Sequence, residues 1–119
     1  MDLDKAVAAH ADWKVKLRLA LVQRQKLDAE KIASDCQCEL GLWLKGEGRL
    51  AHAASPNFQH CVEGHTAFHR AAGAVARAIN SGDFGDAEQQ LESGTELSRA
   101  SSAVAVAIRR LKNEISATT

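Results

Sequence analysis

The sequence predicts an all-α fold of three long helices and a short one, on three observations. Alanine supplies 22 of the 119 residues, while aromatics make up only 4% and tyrosine is absent. Alanine costs least to order in a helix, whereas strands favour β-branched and aromatic side chains. Pro56 is the single proline, and apolar residues recur with helical spacing when each position is given about 100 degrees of turn.

The first helix is expected from about Asp2 to Lys31. Leu3, Val7, His10, Trp13, Leu17, Ala20 and Leu21 fall on one stripe of it, the pattern of a core-facing helix that carries a histidine among its apolar residues. Val15, Leu19 and Val22 point more than about 100 degrees away from that stripe, so they do not reach the same core. From Ser34 to Gly48 the segment carries Cys38, Leu40, Leu42, Trp43 and Leu44 and breaks at Gly46-Glu47-Gly48, which reads as a short helix or turn followed by a loop. Ser55-Pro56 then gives an N-cap and a proline at the first helical position. A helix from there to about Asn80 places Phe58, Cys61, Val62, His65, Phe68, His69, Ala72, Ala76 and Ile79 on one face, with Gly82 just beyond its end. Asp83 is suited to cap a last helix to about Ile115, with Leu97, Val104, Ile108, Leu111 and Ile115 inward and a weak spot at Ser93-Gly94-Thr95.

At 12.8 kDa the chain is sized for one domain, residues 1–119. Fifteen basic residues balance fifteen acidic ones, so no basic field is available to attract nucleic acid or anionic lipid. No apolar run approaches a membrane span, and the start MDLDKAVAAHADWK lacks the apolar core of a signal peptide. A cytoplasmic location without membrane contact is expected. Three cysteines, Cys36, Cys38 and Cys61, cannot all pair, which favours thiols or metal ligands over a disulfide framework.

His65 and His69 stand one helical turn apart, so both imidazoles project from the same side and suit one metal ion. The spacing alone is weak, because core histidines satisfied by backbone or water share it. His10 strengthens the case: three imidazoles on inward stripes of two helices each need a compensating partner, and a cation supplies it. A thiolate would complete a tetrahedral zinc set. Cys38, in the short segment, is placed to supply it, yet Cys61 shares a face with His65 and Cys36 lies two residues from Cys38; spacing does not choose among them. Cysteines outside the set would behave as small, mostly unreactive hydrophobes.

These residues also sit in motifs. His10-Ala11-Asp12-Trp13 is followed by Cys38-Glu39-Leu40-Gly41-Leu42-Trp43 with Gly46-Glu47-Gly48 close behind, and then by His65-Thr66-Ala67-Phe68-His69. In that order they strongly resemble the signature of the bacterial chemoreceptor zinc-binding domain, H-x-x-W, C-x-L-G-x-W with G-x-G, and H-x-x-x-H. The resemblance implies that His10, Cys38, His65 and His69 bind Zn2+, with Cys36, Cys61, His52 and His60 outside the set. It implies an antiparallel four-helix-type bundle, with residues 83–115 completing what the motifs at 10–69 begin. Such domains accompany chemoreceptor signalling domains or diguanylate cyclases; neither is visible in these 119 residues, so the chain reads as a free-standing member or an excised domain.

A shell of four protein ligands leaves no open position for substrate, which argues for a sensory or structural site and against an enzyme. A carboxylate-bridged metal oxidase would need inward Glu-x-x-His pairs, and Glu63 is only two residues from His65. A metal-stabilised interaction bundle is the other alternative. Asp12 or Glu39 is expected to offset the net positive charge of zinc with one thiolate, Trp13 and Trp43 to pack around the metal, and Gly41, Gly46 and Gly48 to permit the turn that aims Cys38. Oxidation of Cys38 would remove the only anionic ligand, so the resemblance implies a response to zinc or to oxidants such as hypochlorous acid. The Val15, Leu19 and Val22 face is expected to meet a second copy in a homodimer.

Overall fold

The computed structural model describes residues 1–117, and among these every regular element is a helix. Three are long: α1 (Leu3–Gln23), α5 (Pro56–Asn80) and α7 (Glu96–Ala117). Four are short: α2 (Ala29–Ala33), α3 (Glu39–Lys45), α4 (Glu47–His52) and α6 (Phe84–Gln90). None is long and apolar enough to cross a membrane.

The central helix, α5, follows its expected bounds. Ser55 caps it, its Oγ accepting from the Phe58 N–H, with Pro56 at the first turn. Every residue of its expected inner face is buried except Val62, which is half-buried. It packs against α1, α2, α6 and α7. Ser55 and Asn57 both donate to the Glu114 carboxylate, tying the start of α5 to the end of α7.

Two long helices are shorter than the periodicity suggests. The first stops at Gln23 rather than Lys31, because Arg24 turns left-handed at φ 51 and its guanidinium lies over the Phe84 ring. The Asn80 side-chain amide then takes both backbone groups of Leu27, at 2.8 and 2.7 Å, which replaces the helical hydrogen bonds those groups would otherwise make. Asp28 starts α2 afresh by capping Lys31. The last helix divides at the anticipated weak point. Asp83 does cap α6, but Gly94 adopts φ +82 and Thr95 Oγ1 accepts from Ser98 to open α7. The segment from Ser34 to Gly48 likewise holds α3, a break at Gly46, and the start of α4.

Gly73 sets one close approach. A Cβ there would lie 2.5 Å from Ala33 Cβ, so only glycine lets α2 settle directly on α5. That contact carries the Ile32 carbonyl to a histidine of α5.

Candidate metal centre

Four side chains from three parts of the chain converge inside this framework. His10 comes from α1, Cys38 from the cap of α3, and His65 and His69 from successive turns of α5; their candidate ligand atoms all lie within 4.8 Å of one another. The three histidines are buried and Cys38 is half-buried. His52 is half-buried beside Trp43 and His60 is exposed, so neither joins the cluster.

The histidine tautomers follow from their outer partners. His10 Nδ1 lies 2.8 Å from the Ala6 carbonyl and His69 Nδ1 lies 2.8 Å from the Ile32 carbonyl. A carbonyl only accepts, so each Nδ1 carries the hydrogen and donates it, and each Nε2 is left with a lone pair. Those two Nε2 atoms face each other at 3.4 Å. Neither can donate to the other, and both point where a cation would sit. Cys38 Sγ lies 3.1, 3.6 and 3.9 Å from the Nε2 atoms of His65, His69 and His10.

This donor set fits zinc. Bonds of about 2.0–2.1 Å to nitrogen and about 2.3 Å to sulfur make tetrahedral edges of about 3.3–3.4 Å between nitrogens and about 3.6 Å from nitrogen to sulfur. The His10–His69 separation of 3.4 Å and the Cys38–His69 separation of 3.6 Å match those edges, and the Cys38–His65 and Cys38–His10 separations of 3.1 and 3.9 Å lie on either side of them. Burial, reinforced by the neighbouring imidazoles, pushes His65 down to about 3, and burial lowers His10 as well. Both rings therefore stay neutral with lone pairs available. Burial raises the Cys38 thiol, opposed by the N–H of Gly41, which donates to Sγ at 3.3 Å; a bound metal displaces that proton.

Gly41 is required by a close approach rather than by a turn. A Cβ on it would fall 1.9 Å from the Asp35 carbonyl oxygen and 3.2 Å from the His65 ring. Gly48 has the same role for Trp43, whose ring would lie 2.8 Å from its Cβ. Trp13 borders a cavity of about 320 Å³ shared with Cys38 and His69. Trp43, by contrast, packs on Phe58 and His52.

Asp35 is the carboxylate that composition and spacing miss. Asp12 and Glu39, the two acidic residues expected to balance the site, are both exposed. Asp35 accepts a short hydrogen bond from Thr66 Oγ1 and lies 3.6 Å from Lys45 Nζ. The Thr66 bond holds its carboxyl below the usual range. Its charge reaches both His65 and Cys38, and its bond to Thr66 pins the Cys38 loop beside His65. No sequence signal marks it, because its role depends on Thr66, Gly41 and the loop arriving together.

The remaining cysteines differ from each other. Cys61 is fully buried in the apolar core, which pushes its thiol up to about 11, as expected of an inert hydrophobe. Cys36 departs from that expectation: it is exposed, with Sγ 3.5 Å from Asp35 Oδ1 and 3.7 Å from Ser34 Oγ.

No curated protein and no solved structure matches the chain. The family model of the chemoreceptor zinc-binding domain matches residues 10–76, more than half of the chain and a span that contains all four converging residues. The chain therefore belongs to the chemoreceptor zinc-binding domain family, with a buried His/Cys/His/His cluster positioned to hold zinc.

Proposed function

We propose that His10, Cys38, His65 and His69 ligate a single Zn2+ and that the chain is a sensory or regulatory domain, its output passed to a chemoreceptor signalling domain or a diguanylate cyclase. The observation that carries this reading is the pair of inward lone pairs on His10 and His69, with the Cys38 sulfur against them. Zinc bound there would offset the thiolate charge and link α1, α5 and the Cys38 segment through one ion.

The ligands are arranged for a switch. Cys38 belongs to a loop and a short helix, whereas His65 and His69 are fixed in the buried centre of α5. Losing zinc, or oxidising the sulfur, would free the Cys38 segment while the α5 ligands stay in place. Four protein ligands leave no open coordination position, which supports regulation over catalysis. Contacts between helix ends support an antiparallel four-helix-type arrangement within a single domain: Asp4 pairs with Lys112 and Ser55 with Glu114, while Leu27 meets Asn80. In this arrangement α2, α3 and α4 together form the broken fourth member.

Val15, Leu19 and Val22 are exposed by 66, 54 and 76%, as their helical directions require. Their clustering supports a homodimer along α1, in a cytoplasmic protein. A metal-stabilised interaction bundle is the competing reading. Titration with a zinc chelator and with an oxidant, followed by circular dichroism and proteolysis at the Ser34–Gly48 segment, separates the two. A sensor releases zinc and exposes that segment; a bundle indifferent to both reagents is structural.

A further inference from the structure

We propose that Cys36 is the resolving thiol of the zinc site, closing a disulfide with Cys38 when the Cys38 sulfur is oxidised, and so making zinc release reversible. This rests on Cys38 being a zinc ligand. The two cysteines are separated only by Gln37, in the connection between α2 and α3, and the chain bends at Gln37 and Cys38. Two residues of chain span at most about 7 Å, close to the roughly 4.4–6.8 Å between Cα atoms that disulfides use. Cys36 Sγ now lies against Ser34 and Asp35 and Cys38 Sγ against the histidines, so the bond closes once the oxidised Cys38 leaves them. The other thiol, Cys61, is fully buried in the apolar core.

Both sulfurs can be reached. The cavity of about 320 Å³ lined by Trp13, Ser34, Gln37, Cys38 and His69 brings small molecules to the Cys38 sulfur. Cys36 is exposed, its thiol donating to Asp35 Oδ1 at 3.5 Å.

The chemistry balances with a two-electron oxidant such as hydrogen peroxide. The Cys38 thiolate attacks one peroxide oxygen, the O–O bond breaks, hydroxide leaves, and Cys38 becomes a sulfenic acid. The Cys36 sulfur then attacks Cys38 Sγ, its S–H proton passes to the departing oxygen, and one water is released as the S–S bond forms. The three histidines that remain hold zinc more weakly than the complete set. A dithiol reductant returns both thiols and restores the site, whereas a sulfur without a partner goes on to sulfinic acid, which dithiols do not reverse.

The test uses the zinc-loaded chain treated with excess hydrogen peroxide, zinc release being followed with a chromogenic chelator. The tryptic peptide Ile32–Lys45, which carries Cys36 and Cys38 but not Cys61, is weighed before and after dithiothreitol. The unmodified chain should lose zinc, its peptide should be lighter by two hydrogens, and dithiothreitol should restore both mass and zinc. In Cys36→Ser the zinc should still leave, but the peptide should gain oxygens and recover several-fold less zinc. Oxygen gain without loss of two hydrogens in the unmodified chain, equal recovery in Cys36→Ser, or cross-linking of Cys36 between chains on a non-reducing gel would each overturn the proposal. A chain that carries no zinc before peroxide would instead overturn the zinc reading beneath it.

Discussion

His10 Nε2 and His69 Nε2 face each other at 3.4 Å while the opposite nitrogen of each ring is held 2.8 Å from a main-chain carbonyl. The carbonyls fix where the hydrogens are, so the facing atoms meet as two acceptors. That arrangement is unfavourable without a positive charge between them, and it explains why three neutral imidazoles are gathered in an otherwise apolar interior.

The three cysteines should respond differently to replacement. Cys38→Ser should weaken zinc binding about 100-fold or more, whereas Cys36→Ser and Cys61→Ala should change it by less than about 10-fold. Competition against a chromogenic chelator reads the order. Greater loss in Cys61→Ala than in Cys38→Ser would make the buried thiol the ligand.

Gly41→Ala should both loosen the site and destabilise the fold. Its new Cβ would collide with the Asp35 carbonyl oxygen, which is main chain and cannot simply rotate aside. A cost of about 1–3 kcal/mol is expected from such overpacking, together with weaker zinc binding. Gly85→Ala provides the control: nothing lies within 4 Å of its Cβ, and in α6 alanine should be neutral or stabilising by about 0.4–1 kcal/mol. Urea unfolding of the two variants distinguishes them, and equal stability would remove the role given to the Gly41 contact.

Much of this was legible in the sequence, and what was not has a common cause. Ser55, Pro56 and Gly82 punctuate α5 locally, so both of its ends were readable. The end of α1 was not, because Leu27 is drawn out of the helix by Asn80, 53 positions away. Motifs in the sequence single out His10, Cys38, His65 and His69, and the structure brings their ligand atoms together. Spacing alone left Cys61 in contention, since its shared face with His65 says nothing of the apolar core that closes over it. Asp12 and Glu39 stand nearer the ligands in sequence, and they mask the role of Asp35 for a similar reason: the place of Asp35 beside His65 comes from Thr66, Lys45 and the bare Cα of Gly41.

The metal-free chain should lose stability as the solution is acidified. The folded state holds His65 down at about 3, against 6.5 when unfolded, and lowers His10 in the same sense. Between those values the unfolded chain binds protons that the folded chain refuses, so acid favours unfolding. The contribution is complete above pH 6.5 and is lost progressively as pH falls toward about 3. Urea midpoints of the chelator-treated protein should therefore fall from pH 7 to pH 4. A midpoint that rises over that range would contradict the burial of neutral imidazoles.

Leu19→Glu should give a soluble, zinc-loaded monomer in sedimentation. The side chain is 54% exposed, so its loss should change the stability of one chain by no more than about 0.5 kcal/mol. Burial of three medium apolar side chains is worth roughly 1.5–3 kcal/mol each when complete, less the entropy of association. Persistence of a dimer would place the interface elsewhere, and unfolding would place Leu19 in the core of the single chain.

The central claim is tested most directly by counting metal. Elemental analysis and native mass spectrometry of chain never exposed to chelator or acid should find one zinc per chain, and His65→Ala/His69→Ala should lose it. Zinc near zero in the unmodified chain, or one zinc retained by the double variant, would contradict the account.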